Sequence, residues 1–209
     1  MAKKALIIGV SSQDGSYLAE LLLEKGYDVT GTIRHTTNFY QENIQHLYGK
    51  IKIEAADLID SESLAAAVRG AKPDEVYNIA AQSVPGDSWT HPFYTGEATA
   101  LGPVRALEAV RHFAPNAHFY QATSREIYGN IEADSANEST LFDANNPYGI
   151  AKLYAHMMMR CYRESYGMFA CGGILFNHES PRRSLHFITR KIVWFLIFVF
   201  LLLWSNSML

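Results

Sequence analysis

The sequence predicts an α/β fold: a doubly wound parallel sheet with helices on both faces. Three observations predict it. Short runs of strand character recur along the chain, helical periodicity fills the gaps between them, and the first run ends in a glycine-bearing turn, GVSSQDG. The elements follow in order. Residues 5–8 form the first strand. Residues 16–25 form a helix with Leu18, Leu21 and Leu22 on one face, ended by Gly26. Residues 28–33 and 51–55 are strands, and Ser61 reads as the N-cap of the next helix. A strand at 75–79, a helix at 102–113, a strand at 118–122, a long helix at 148–166 and a strand at 169–175 complete the pattern. Right-handed crossovers put every loop that follows a strand at one edge of the sheet, where ligands bind in such folds.

Composition sets bounds. The chain has 209 residues, 48% of them apolar, enough for one core. A net charge of −3 and the lack of a basic block exclude nucleic acid as an expected partner. Cys161 and Cys171 make no disulfide framework and read as buried thiols of a reduced, cytoplasmic protein. His178 lies near Cys171 without CxxC spacing, so no metal is expected. MAKKALIIGV is not a signal peptide, because its apolar run is short and leads into a glycine turn. Residues 192–204, IVWFLIFVFLLLW, carry no charge but fall short of the ~20 residues of a spanning helix, so a membrane partner is not expected. This tail is unlike the rest of the chain and reads as out-of-frame or prematurely ended sequence, with a hydrophobic anchor or a core segment as the other readings.

The loop tips carry the chemistry. In the first, Gly9 permits a tight turn and Gly15 close packing of the helix. Ser12, Gln13 and Asp14 lie between them, where a helix N-terminus offers N–H groups to a pyrophosphate. This is the arrangement of a Rossmann-type dinucleotide fold, although such a turn alone also reads as a turn without ligand. The second tip holds Arg34 and His35 where an NAD enzyme carries a carboxylate, and a cation there suits the 2′-phosphate of NADP. The third holds Asp57, to accept from an adenine amino group, and Leu58, to pack on the ring. The fourth runs through Asn78 to Ala80, Ala81, Gln82 and Ser83, small residues that let a cofactor pass. The fifth holds Ser124 and Glu126; Glu126 alone would read as a surface or capping residue. Tyr148 and Lys152 follow at i, i+4 on one helix face. A free tyrosine gives up its proton only near pH ~10, so a tyrosine base needs a neighbouring cation, and Lys152 is placed to be one.

The stretches QDGSYLAELLLEKGY, EVYNIAAQS, ALGPVRALEAVR, FYQATSREIYG, NPYGIAKLYAH and GILFNHESPRR resemble the extended short-chain dehydrogenase/reductase family. Within it they are similar to the GDP-mannose 4,6-dehydratase family, over roughly residues 3–192. The resemblance implies a lyase that converts GDP-mannose to GDP-4-dehydro-6-deoxy-mannose and water, with transient reduction of bound NADP, in fucose and deoxyhexose biosynthesis. It implies that Tyr148 takes the C4 hydroxyl proton, Lys152 supports it and holds the nicotinamide ribose, Ser124 bonds O4, and Glu126 removes the C5 proton. It further implies that Ser83 and Asn177 touch substrate, His178 and Arg183 contact the cofactor, Tyr94 lines its site, and the full-length family forms dimers or tetramers. The expected organisation is an NADP-binding domain at 1–175, the start of a substrate domain, otherwise largely missing, at 176–192, and the aberrant tail at 193–209.

Three features depart from the family pattern. Ser12 replaces a glycine, which would cost about 1 kcal/mol if the position needs positive φ. Arg125 stands between the hydroxyl and the carboxylate of the fifth tip, putting a cation beside the base. The chain ends before the family's substrate domain is complete. Two other readings stay open: a cofactor-binding fragment without turnover, and another sugar-nucleotide enzyme such as an epimerase or 4-ketoreductase.

Overall fold

The computed structural model describes residues 1–34, 41–131 and 135–206, with side chains through residue 199; His35 lies outside the described residues. Six strands form one sheet: β1 (Lys4–Ile8), β2 (Asp28–Ile33), β3 (Lys52–Ala55), β4 (Glu75–Asn78), β5 (His118–Ala122) and β6 (Ala170–Gly173). Their order is β3-β2-β1-β4-β5-β6, and every pairing is parallel. The chain winds outward from β1 in one direction and from β4 in the other, so the switch point lies between these two strands.

The strand sequences explain the layers. Alternate residues of a strand face opposite sides. Leu6, Ile8, Val76, Phe119 and Ala170 form one core with Leu64 and Val68 of α2 (Ser61–Ala71), Leu107 and Val110 of an eventual α4 (Gly102–Phe113), and Met159 and Tyr162 of α5 (Pro147–Tyr166). Ala5, Ile7 and Val29 form the other core with Ala19 and Leu22 of α1 (Gln13–Glu24). β1 is therefore buried on both faces, as its apolar run requires. Phe119 is fully buried, so its truncation to alanine would cost on the order of 3–5 kcal/mol.

Several elements differ from expectation. α1 starts at Gln13, and its buried residues are Gly15, Ser16, Ala19 and Leu22; Leu21 points outward at 47% exposure. The earlier start follows from Ser12 acting as N-cap. α2 is capped by Asp60 instead of Ser61, because the Asp60 carboxylate reaches the N–H groups of Glu62 (3.0 Å) and Ser63 (3.4 Å). β6 is shorter than the run at 169–175. The thiols are free but not buried: Cys161 is exposed and Cys171 half-buried. Before α4 the chain forms α3 (Pro92–Thr95) and a π-helical turn (Gly96–Leu101) that periodicity did not announce.

The chain divides into two units, Met1–Phe176 and Asn177–Leu209. The first contains the sheet. The second contains α6 (Ile188–Asn206), in which Trp194, Phe195, Leu196 and Phe198 are all more than half exposed. Among the described residues no helix is long and apolar enough to cross a membrane.

Candidate functional site

The β1–α1 turn is closed by glycine. Gly9 has φ +89°, and a Cβ there would lie 2.8 Å from Cβ of Ala80 at the β4 tip. A Cβ on Gly15 would lie 2.5 Å from the Gly9 carbonyl oxygen. Neither position tolerates a side chain, so the turn and the β4 tip share one tight surface. Ser12 corrects the sequence expectation. Its φ of −68° and ψ of 168° are ordinary extended backbone, so it carries no left-handed strain. Its Oγ accepts a hydrogen bond from the Gly15 N–H at 3.0 Å, and its own O–H remains a donor. The first N–H groups of α1, at Gln13 and Asp14, stand at the helix N-terminus. The Gln13 amide donates to the Asp14 carboxylate at 3.1 Å.

At the β2 tip the exposed Arg34 donates through Nη1 to the Tyr94 hydroxyl at 2.9 Å, joining two expected cofactor residues 60 positions apart. At the β3 tip Asp57 accepts from the Ile59 N–H at 3.1 Å. Leu58 was expected to pack on a ring, but its side chain is buried in the core. It lies so close to Gly102 that a Cβ there would meet it at 2.8 Å. At the β4 tip Ala80, Ala81 and Gln82 are half-buried and Ser83 is exposed. The Gln82 N–H donates to Thr99 Oγ1 at 3.0 Å, and that hydroxyl donates back to the Gln82 carbonyl at 3.3 Å. Thr99 is buried on the π-helical turn. Sequence reasoning missed it because a π turn has no simple periodic signature.

The catalytic candidates meet between the β5 tip and the start of α5. Ser124 caps a 3-10 turn (Arg125–Tyr128), its Oγ accepting from the Glu126 N–H at 3.3 Å. Both Glu126 carboxylate oxygens are engaged. Oε1 pairs with Arg125 Nη1 at 3.0 Å, and Oε2 accepts from Asn146 Nδ2 at 2.8 Å. Arg125 also donates through Nη2 to the Gly129 carbonyl at 2.9 Å. Asn146 is the N-cap of α5, its Oδ1 accepting from the Gly149 N–H at 2.8 Å. Gly149 packs under this turn, where a Cβ would lie 2.6 Å from the Glu126 carbonyl oxygen. Asn146 was not singled out in the sequence, although an Asn before a Pro at a helix start is a readable cap signal.

Tyr148 and Lys152 are both buried, at 8% and 3% exposure. The Lys152 ammonium sits 5.7 Å from the Tyr148 ring centre and donates to the Ala122 carbonyl at 2.8 Å. Burial pushes the Lys152 ammonium down to about 8, so it remains mostly charged at neutral pH. The Ala122 carbonyl also accepts from Gln121 Nε2 at 2.9 Å, and Gln121 Oε1 accepts from Asn78 Nδ2 at 2.8 Å. A lysine cation beside a tyrosine favours the tyrosinate, and a carboxylate on the adjacent turn supplies a second proton acceptor.

Asn177, His178 and Arg183 belong to the second unit. Asn177 and His178 are exposed. Arg183 pairs with Glu179 at 3.4 Å and lies over the Phe187 ring at 3.7 Å.

The chain is similar to known proteins over most of its length. A family model described as GDP-mannose 4,6 dehydratase matches residues 6–199, seven residues past the expected boundary of likeness at 192. A GDP-mannose 4,6-dehydratase of Vibrio cholerae is 47% identical over 201 residues, covering 92% of this chain and 54% of that protein. The protein of that name from Homo sapiens is 44% identical over 198 residues, covering 90% of this chain and 53% of its own length. The chain thus spans about half the length of the curated relatives it matches. Among solved structures, a dTDP-glucose 4,6-dehydratase double mutant from Streptomyces venezuelae with NAD bound aligns with a TM-score of 0.84 at 21% identity, covering 93% of this chain and 62% of that one. A UDP-glucose 4-epimerase of Thermus thermophilus in complex with NAD aligns at 0.79 and 27% identity, covering 87% and 58%.

Proposed function

The chain belongs to the GDP-mannose 4,6-dehydratase family, and from that premise we propose that its site dehydrates GDP-mannose to GDP-4-dehydro-6-deoxy-mannose. The observation that carries this reading is a carboxylate, Glu126, tied through Asn146 to the helix start that bears Tyr148 and Lys152. A simple alcohol dehydrogenase has no use for that carboxylate; a dehydratase needs it to take a proton from carbon.

The turn fits a nicotinamide dinucleotide: two glycines that exclude side chains, a helix N-terminus, and an extended Ser12 whose hydroxyl can donate to a phosphate. NADP is favoured over NAD by Arg34 at the β2 tip, where no carboxylate stands among the described residues of that tip. Such a cofactor, when bound, supplies reversible oxidation at the sugar. Tyr148 takes the proton of the C4 hydroxyl, with Lys152 stabilising the phenolate. Ser124 bonds O4. Once C4 is a ketone, Glu126 removes the acidified C5 proton and the C6 hydroxyl leaves as water; with the hydride from C4 returned to C6, a solvent-exchanged proton from Glu126 then goes to C5 and completes the 6-deoxy product. Asp57 and the run Ala80 to Ser83 border the cofactor. Asn177, His178 and Arg183 open the substrate-binding part, and the unit ending at Phe176 serves as the cofactor domain. The protein works in the cytoplasm.

The test is incubation with GDP-mannose and NADP in deuterated water, read by mass spectrometry. The dehydratase yields a product lighter by one water that carries deuterium. Glu126→Gln separates this reading from an epimerase or 4-ketoreductase, because full activity in that variant refutes a C5 base at this position.

A further inference from the structure

Glu126 is held from two sides, and the two holders differ in kind. Arg125 is its neighbour in sequence and reaches Oε1 from the same 3-10 turn. Asn146 is 20 residues away and belongs to a different element. Its amide does two jobs at once. Oδ1 accepts from the Gly149 N–H, which fixes the amide plane against α5, and Nδ2, thereby aimed away from the helix, donates to Glu126 Oε2 at 2.8 Å. The same helix start carries Tyr148 and, one turn on, Lys152. The backbones also touch, since Gly149 leaves no room for a Cβ over the Glu126 carbonyl.

We propose that Asn146 is a positioning residue for Glu126: the α5 cap sets the carboxylate in a fixed relation to Tyr148 and Lys152, so that the base and the tyrosine address adjacent carbons of one sugar. The proposal rests on the dehydratase reading. Within it, the amide does what a plain cap cannot, because its acceptor and donor are separate atoms at the end of a longer side chain: Oδ1 takes the Gly149 N–H while Nδ2 reaches across to the Glu126 carboxylate, a span that a single serine oxygen does not bridge. Arg125 holds the other oxygen without linking it to α5.

Asn146→Ser tests this. Serine caps a helix about as well as asparagine but has no amide to extend to Glu126, so the thermal midpoint should fall only by the lost carboxylate bond, about 2–4 °C. Asn146→Ala removes the cap as well and should lower it further. With GDP-mannose and NADP, Asn146→Ser should still oxidise C4, seen as the near-ultraviolet absorbance of reduced cofactor, with KM unchanged. Entry of solvent deuterium at C5 should slow roughly ten- to a hundredfold, the size of effect that misplacing a catalytic group has. Deuterium entry at the wild-type rate in Asn146→Ser overturns the proposal. Failure of the wild-type chain to turn over GDP-mannose is a failure of the dehydratase reading. The contact is then judged in the protein alone, from the Asn146 side-chain amide resonances. They should shift when Glu126 is replaced by alanine, and unmoved resonances overturn it.

Discussion

Replacing Lys152 by methionine should stabilise the protein while disabling its site. The ammonium is buried at 3% exposure, and burial lowers its pKa from 10.5 to about 8. A shift of that size corresponds to about 3 kcal/mol held against folding at neutral pH. The direction follows from proton binding. Below pH 8 both folded and unfolded chains carry the charge, and the full penalty is present. Between about 8 and 10.5 the unfolded chain binds more protons than the folded one, so wild-type stability rises with pH, and above that window the penalty is gone. Methionine is similar in volume, and the Ala122 carbonyl keeps its bond from Gln121 Nε2. Losing the charged bond to that carbonyl offsets part of the gain. Lys152→Met should therefore be more stable by about 2 kcal/mol at pH 7, which for a urea slope of about 2 kcal/mol/M raises the unfolding midpoint by about 1 M. The assay is urea denaturation of both proteins, free of cofactor, at pH 7 and near pH 10, where other titrations cancel in the difference. The gap should narrow at the higher pH. A variant less stable than wild type at pH 7, or a gap that ignores pH, refutes the buried-charge argument.

The remaining expectations concern the cofactor turn and its rim. Ser12→Ala should lower stability by about 1 kcal/mol through loss of the cap on Gly15, a fall of about 2–4 °C in thermal midpoint, and Ser12→Gly by only a few tenths of a kcal/mol. Because Ser12 carries no φ strain, restoring glycine should bring no gain in stability; a clear gain would contradict the observed backbone. Arg34→Gln should weaken NADP about ten- to a hundredfold and leave NAD nearly unchanged, measured by quenching of tryptophan fluorescence. Equal losses for both cofactors would show that Arg34 reads no 2′-phosphate.

Much of this architecture was legible in the sequence because short buried strands announce themselves. β2, β5 and α4 fall at their expected bounds, since each is a clean apolar or amphipathic run between turn residues. The face of α1 was misjudged because its inward residues are small: Gly15, Ser16 and Ala19 pack closely on the sheet, while Leu21 looks like core by type and lies outside. The cap of α2 was misplaced by one residue because Asp60 and Ser61 are both good caps, and only side-chain reach decides between them. At the site, residue types and spacing pointed to Ser124, Glu126, Tyr148 and Lys152, and the fold brings Glu126 to the start of the helix that carries Tyr148 and Lys152. What could not be read was how Glu126 is held. Asn146 and Thr99 act through contacts across 20 and 17 positions, and such pairings depend on where two elements meet.

The central claim is that Glu126 takes a proton from C5 beside the Tyr148–Lys152 pair. It is tested most directly by deuterium at C5 of the product formed from GDP-mannose and NADP in deuterated water, in wild type and in Glu126→Gln. The account predicts one solvent deuterium at C5 in a product lighter by one water, and no such product from the variant. Unchanged GDP-mannose in the presence of demonstrably bound NADP, or a labelled product from Glu126→Gln, would contradict it.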